Sequence, residues 1–291
     1  MVRKGGAKLD LKAILEFVKI EHTLFSLPFI FIGALIAGDP TIIQLVWILI
    51  AAIGARGLAM ALNRIIDQDI DAKNPRTANR HLVTGNLSNR TAYGLCVIFL
   101  GMLVLGAGQL NQVALMMAWL PVLVFVIYPY TKRYTWACHL WLGLCLGLAP
   151  AGAWLGIVGS DLGWAAITEY YWYPEIWFIS FGVMCWITAF DLNYALMDIE
   201  SDLEQGIHSF PSKFGAQITK YTSINLTFLW FACFAIAAPL NSAPFLIAAG
   251  LMALTNIGVI SRQENLENFQ EIFFRTSAFT GWILLAGLVA A

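Results

Sequence analysis

The 291 residues are 59% hydrophobic and only 12% charged, and 17 Lys+Arg against 18 Asp+Glu leave a net charge of −1. A soluble globular domain carries about twice that charged fraction. With a mean hydropathy of +0.71, the composition argues against a disordered chain, an ordinary soluble enzyme and a nucleic-acid binder.

In chain order, residues 1–20 read as a polar-rich cytoplasmic segment with Arg3, Lys4, Lys8, Lys12 and Lys19. A bilayer-spanning helix needs about 20 mostly apolar residues. The stretches that meet this are 22–38, 42–62, 92–109, 112–130, 136–158, 175–196, 220–238, 243–260 and 271–290. The first reads as a span and not as a cleavable leader. No low-complexity linker divides the chain. The expected fold class is therefore all-α, an integral membrane protein of about nine transmembrane helices forming one domain over residues 1–291. Cys96, Cys138, Cys145, Cys185 and Cys233 lie in apolar stretches without metal-ligand spacing and read as small packing residues.

Lys and Arg favour the cytoplasmic side of short loops. With the N-terminus inside, the inner segments hold 16 of the 17 basic residues, and the outer loops near 39–41, 109–112, 159–174 and 239–243 hold none. Those outer loops and their edges hold Asp39, Asp161, Glu169 and Glu175, and the run Tyr170, Tyr171, Trp172, Tyr173 suits an interfacial aromatic belt. The expected location is the cytoplasmic (inner) membrane, with the N-terminus inside.

Two acidic motifs emerge from spans at the inner side. In the first, Asn63, Asp67 and Asp71 follow one another at i, i+4, on one helix face. In the second, Asp191, Asp198 and Asp202 are spaced 7 and 4, again one face of a continuous helix, with Tyr194 one turn before Asp198. Asp67 and Asp71 recur as Asp198 and Asp202, each 131 residues on, a loose internal echo. Carboxylates near hydrocarbon cost roughly 2.5–3.5 kcal/mol each at a span's centre, so something must offset them. Mg2+ takes carboxylate oxygens and substrate phosphates. Two facing clusters with Asp67, Asp71, Asp198 and Asp202 as metal ligands would hold Mg2+ around a diphosphate, assisted by Asn63 and Asp191. A lone Asp pair on an interfacial loop is ordinary solvated charge, and only the duplication raises it above that.

Arg76 and Arg80 follow the first motif, and Lys132 and Arg133 follow Tyr128-Pro129 on the next inner loop. Guanidinium forks and ammonium groups bind phosphate oxygens. The bland alternative is that these cations only enforce topology. Arg56 lies within a span, where arginine is expensive. It reads either as a buried ion-pair partner or as a cation for the diphosphate or a substrate carboxylate. Tyr194 reads first as packing and second as an oxygen contact to the site. His22 and His81 read first as structural and second as contacts to the site.

At these residues the sequence resembles the UbiA family of intramembrane prenyltransferases, over roughly 12–290. The resemblance rests on Arg56-Gly57, Asn63, Asp67 and Asp71, then Arg76-Thr77 and Arg80, Tyr128-Pro129 with Lys132-Arg133, and Asp191, Tyr194-Ala195, Asp198 and Asp202. It implies a nine-helix bundle with both acidic motifs on a central cavity. It also implies Mg2+-dependent transfer of a polyprenyl group from polyprenyl diphosphate to an aromatic acceptor within a lipid membrane. For hydroxybenzoate-type members that acceptor is 4-hydroxybenzoate, in quinone (ubiquinone) biosynthesis. Three positions depart from that pattern: Asn63-Arg64 where Asn-Asp is common, Arg80-His81-Leu82 where Arg-Pro-Leu is common, and His208-Ser209 where Lys-Ser is common. With Glu21-His22-Thr23-Leu24-Phe25 they resemble a side branch, some of whose members are implicated in prenylating a dihydroxynaphthoate for menaquinone by the futalosine route. A transporter is the alternative of another class. It is disfavoured because the charges cluster at one mouth and not at the midplane.

Overall fold

The computed structural model describes residues 11–19, 21–237, 242–266 and 268–291. Arg3, Lys4 and Lys8 lie outside the described residues, as does the side chain of His22. Among the described residues every regular element is helical. In order these are α1 (Leu11–Phe17), α2 (Glu21–Ile36), α3 (Ile42–Ile66), α4 (Gln68–Lys73), α5 (Asn89–Leu110), α6 (Gln112–Met117) and α7 (Trp119–Thr131). They continue with α8 (Cys138–Leu162), α9 (Ala165–Thr168), α10 (Glu175–Tyr194), α11 (Ile199–Gln205), α12 (Phe210–Ala237), α13 (Ala243–Ser261) and α14 (Phe269–Val289). Short 3₁₀ turns occupy Ala195–Asp198 and Gln263–Asn265.

A helix lies at each expected span, and among the described residues seven segments are long and apolar enough to cross a membrane. The helix α2 has only 16 residues. The helix α12 buries a hydroxyl row, Thr219, Ser223 and Thr227, each bonded to the carbonyl one turn back. The expected span 112–130 is two helices, parted at Ala118. Pro121 sits in the first turn of α7, where its missing N–H cannot continue the α6 ladder.

Two cores organise the bundle. Helices α2, α10, α12, α13 and α14 enclose an aromatic cluster that includes Phe25, Phe29, Trp186, Trp230, Phe234 and Phe273. Phe25 and Phe29 each lie 4.6 Å from the Trp186 ring. Helices α1, α3 and α5 share a second core of Phe17, Val18, Leu58, Leu95 and Phe99. Packing between helices in lipid relies on close backbone approach through small residues. At Gly54 of α3 a Cβ would sit 2.5 Å from Leu103 N and 2.6 Å from Phe99 O of α5, so only glycine lets these helices meet.

The N-terminal segment is more than a solvated tail. Phe17 at the end of α1 is fully buried, and its carbonyl accepts a 2.7 Å bond from Arg64 Nε. Arg64, read from sequence as a topology charge, is therefore a buried clamp for α1.

At the far end Tyr170, Tyr171 and Tyr173 are exposed, and Trp172 packs on Tyr170, Tyr173 and Trp177. The five cysteines are all free.

Candidate active site

The first acidic motif stands where α3 hands over to α4. Asp67 caps α3, and the bond from Asp71 N–H to Asp67 O at 2.8 Å carries the helical path across the junction. Asn63, Asp67 and Asp71 thus stay one turn apart. The Asn63 amide donates to Asp67 Oδ2 at 3.0 Å. Asp67 is wholly buried, with Lys132 Nζ at 2.6 Å and Arg133 Nη2 at 3.3 Å. Asp71, also buried, faces Arg80 Nη1 at 2.5 Å.

The second motif is shaped differently. A 3₁₀ turn carries the chain from Ala195 to Asp198. Such a turn advances about 120° per residue against about 100° in an α-helix. Four residues of it widen the angle between Asp191 and Asp198 to about 60°, the offset of an i, i+3 pair. Asp191 meets His139 of α8, Nδ1 to Oδ2 at 2.7 Å. Asp198 is gripped by Arg76 through Nε at 2.8 Å and Nη2 at 2.5 Å, and by the Asn74 amide at 3.0 Å. Asp202 follows on α11, partly buried, near Ser209. Tyr194 stacks on Phe190 at 5.4 Å.

The segment after the first motif thus holds the second motif's central carboxylate, and the two motifs share one mouth. The cations are not equivalent. Lys132 points its ammonium at Asp67. Arg133 also donates to the carbonyls of Ile66 and Pro129, at 2.8 and 3.0 Å, which makes it a tie between the ends of α3 and α7. Arg76 is held above its ordinary value. Burial works against its charge, but the hydrogen bond and charge of Asp198 outweigh it. His81 lies 3.4 Å from Glu16 of α1, away from the carboxylates.

Among the described residues no three His, Cys, Asp or Glu side chains converge as a preformed metal centre. Each central carboxylate faces a protein cation instead. The donors nevertheless suit a hard divalent ion, since all are carboxylate or amide oxygens. Asp67 makes the stronger case. Burial pushes its carboxyl up despite Lys132 and Arg133. Its buried Oδ1 faces the Arg133 guanidinium at 3.3 Å but accepts no hydrogen bond, which leaves that oxygen able to take a divalent ion.

Arg56 stays in the body of α3, seven residues before Asn63. Its Nε is buried without a hydrogen-bond partner. Beside it lies a cavity of about 120 Å³ lined by Ile14, Val18, Ile53 and Phe99. Ion pairing with an acidic neighbour, one of the two readings of this residue, has no counterpart among the described ion pairs.

Sequence reasoning gave no role to His139 or Asn74. His139 lies in the expected span 136–158, and an ionisable group inside an apolar run is itself a signal.

The comparisons agree with this geometry. The model of the UbiA prenyltransferase family matches residues 26–289. A 4-hydroxybenzoate octaprenyltransferase of Shewanella piezotolerans is 28% identical over 79% of this chain and 75% of its own length. A solved apo structure of a UbiA homologue from Aeropyrum pernix K1 superposes with a TM-score of 0.84 at 31% identity, covering 93% of this chain and 98% of that one. A UbiA homologue from Archaeoglobus fulgidus, solved with DMAPP and Mg2+, has the same fold at a TM-score of 0.67 and 17% identity, over 96% of this chain and 100% of that one. The chain is an integral membrane protein that belongs to the UbiA prenyltransferase family, a family of transferases.

Proposed function

We propose that this protein transfers a polyprenyl group from a polyprenyl diphosphate to an aromatic acid, with 4-hydroxybenzoate as acceptor, in quinone biosynthesis at the cytoplasmic face of the inner membrane. One observation carries the reading: Asp67, Asp71 and Asp198 lie at one mouth, each facing a cation from another segment. A diphosphate with divalent metal is the ligand that complements both charges at once. The names of the Shewanella relative and of the Archaeoglobus complex support the acceptor and the metal.

Asp67, Asp71, Asp198 and Asp202 would hold Mg2+, with Asn63 and Asp191 assisting. When bound, the ion would neutralise charge developing on the departing diphosphate. Arg76, Arg80 and Lys132 would turn from their carboxylates to the phosphate oxygens, which gain charge as the C1–O bond breaks. Arg133 would brace Lys132. The apolar faces of α3, α7 and α8 would keep water from the allylic cation, and the acceptor ring would attack C1 and then release its proton. Arg56 lies about 16 Å along the helix axis from Asp67. That is beyond the reach of a diphosphate held at Asp67 and suits the carboxylate of an acceptor lying past C1. Tyr194 packs the wall. The whole chain forms one catalytic domain on this reading, with its N-terminal segment cytoplasmic.

The test is incubation of the purified protein with radiolabelled polyprenyl diphosphate, Mg2+ and a panel of aromatic acids that includes a dihydroxynaphthoate. A prenylated 4-hydroxybenzoate, abolished by EDTA, is expected. Prenylation of the naphthoate alone would reassign the acceptor, and no prenylated aromatic at all would overturn the reading.

A further inference from the structure

We propose that His139 is a positioning residue for Asp191, acting through a neutral ring whose proton sits on Nδ1. This rests on the prenyl-transfer reading for its consequence, but not for its geometry. His139 is buried in the first turn of α8. Its Nδ1 lies 2.7 Å from Asp191 Oδ2 on α10, and its Nε2 lies 3.2 Å from Phe210 N. Phe210 opens α12, so its N–H is one of those a helix leaves without an internal acceptor. A backbone N–H only donates. Nε2 must therefore accept, and a proton there would set donor against donor. The ring proton is left on Nδ1, where it donates to Asp191.

One imidazole thus ties α8, α10 and the start of α12 together at the mouth. The ring holds the Asp191 carboxylate through Oδ2 and so sets its orientation. Its side chain keeps 24% exposure, held from behind and open in front. The adjoining loop is braced in the same place, since His208 N–H donates to Lys132 O at 2.8 Å. The position of Asp191 is thereby coupled to the cation that faces Asp67.

Two variants separate the functions of the ring. An asparagine amide nitrogen falls where Nδ1 sits, and a glutamine side chain reaches only to where Nε2 sits. His139→Asn keeps the donor to Asp191 and gives up Phe210, whereas His139→Gln does the reverse. If the ring positions Asp191, kcat of His139→Gln falls below that of His139→Asn by about 10–100-fold, with KM for the diphosphate little changed and both variants melting alike. Equal losses, or the opposite order, would reduce His139 to a helix cap and overturn the proposal. A second measurement does not need turnover. In ¹⁵N-histidine spectra of the detergent-solubilised protein, the chain has four histidines, and the signal lost in His139→Asn identifies the ring. A neutral Nδ1–H tautomer is expected, and an imidazolium or an Nε2–H tautomer would overturn the proposal. A wild type that yields no prenylated product with any aromatic acid would end the functional reading while leaving the tautomer result interpretable.

Discussion

The two acidic motifs solve the same electrostatic problem at different depths. Asp67 is wholly buried at a continuous helix junction and is served by Lys132 and Arg133 from the α7–α8 loop. Asp198 sits on a 3₁₀ turn with 14% of its side chain exposed and is served by Arg76, itself 41% exposed. A charge pair in water-accessible surroundings contributes little to stability, whereas a buried carboxylate stripped of its partner is costly. The deep motif should therefore govern both folding and chemistry, and the shallow one chemistry almost alone.

The sharpest way to break that contrast is to neutralise each carboxylate. Asp67→Asn is expected to lower prenyl transfer by about 10³-fold, the size of effect seen when one charge-stabilising group is removed, and Asp198→Asn to lower it comparably. Product formation with a radiolabelled donor checks both, and near-normal turnover in either would remove that carboxylate from the metal site. Next is Lys132→Met, which leaves Asp67 buried beside Arg133 alone. It should destabilise the protein by about 3 kcal/mol, read as a lowered unfolding midpoint in detergent. Arg76→Met should leave that midpoint nearly unmoved. Equal shifts in the two would erase the distinction between deep and shallow. Arg76→Lys keeps the charge and loses the two-pronged grip, so a rise of about tenfold in KM for the diphosphate is expected. The smallest effect belongs to Asn74→Ala, which removes one of several bonds to Asp198 and should cost about 1 kcal/mol of transition-state binding, measured as kcat/KM.

The apolar runs made the helices legible, because length and hydropathy are local properties. What escaped depended on contacts between distant segments or on small changes of helical pitch. The break at Ala118 was visible in principle through Pro121. The 3₁₀ turn at Ala195–Asp198 carries no such mark in the sequence. At the first motif the assumption of a continuous helix worked, because α3 and α4 meet with the ladder intact at Asp67. The cations Arg76, Arg80 and Lys132 were singled out from their proximity to the acidic motifs. Their pairing with particular carboxylates is a matter of three-dimensional arrangement and was not readable. His139 was overlooked although an imidazole in an apolar span is as conspicuous as Arg56. The contact of Phe17 with Arg64 was hidden because it joins residues 47 positions apart.

The ion pairs at the mouth have a consequence for biogenesis. Lys132, Arg80 and Arg76 already offset Asp67, Asp71 and Asp198, so the nascent bundle can close without waiting for an inorganic ion.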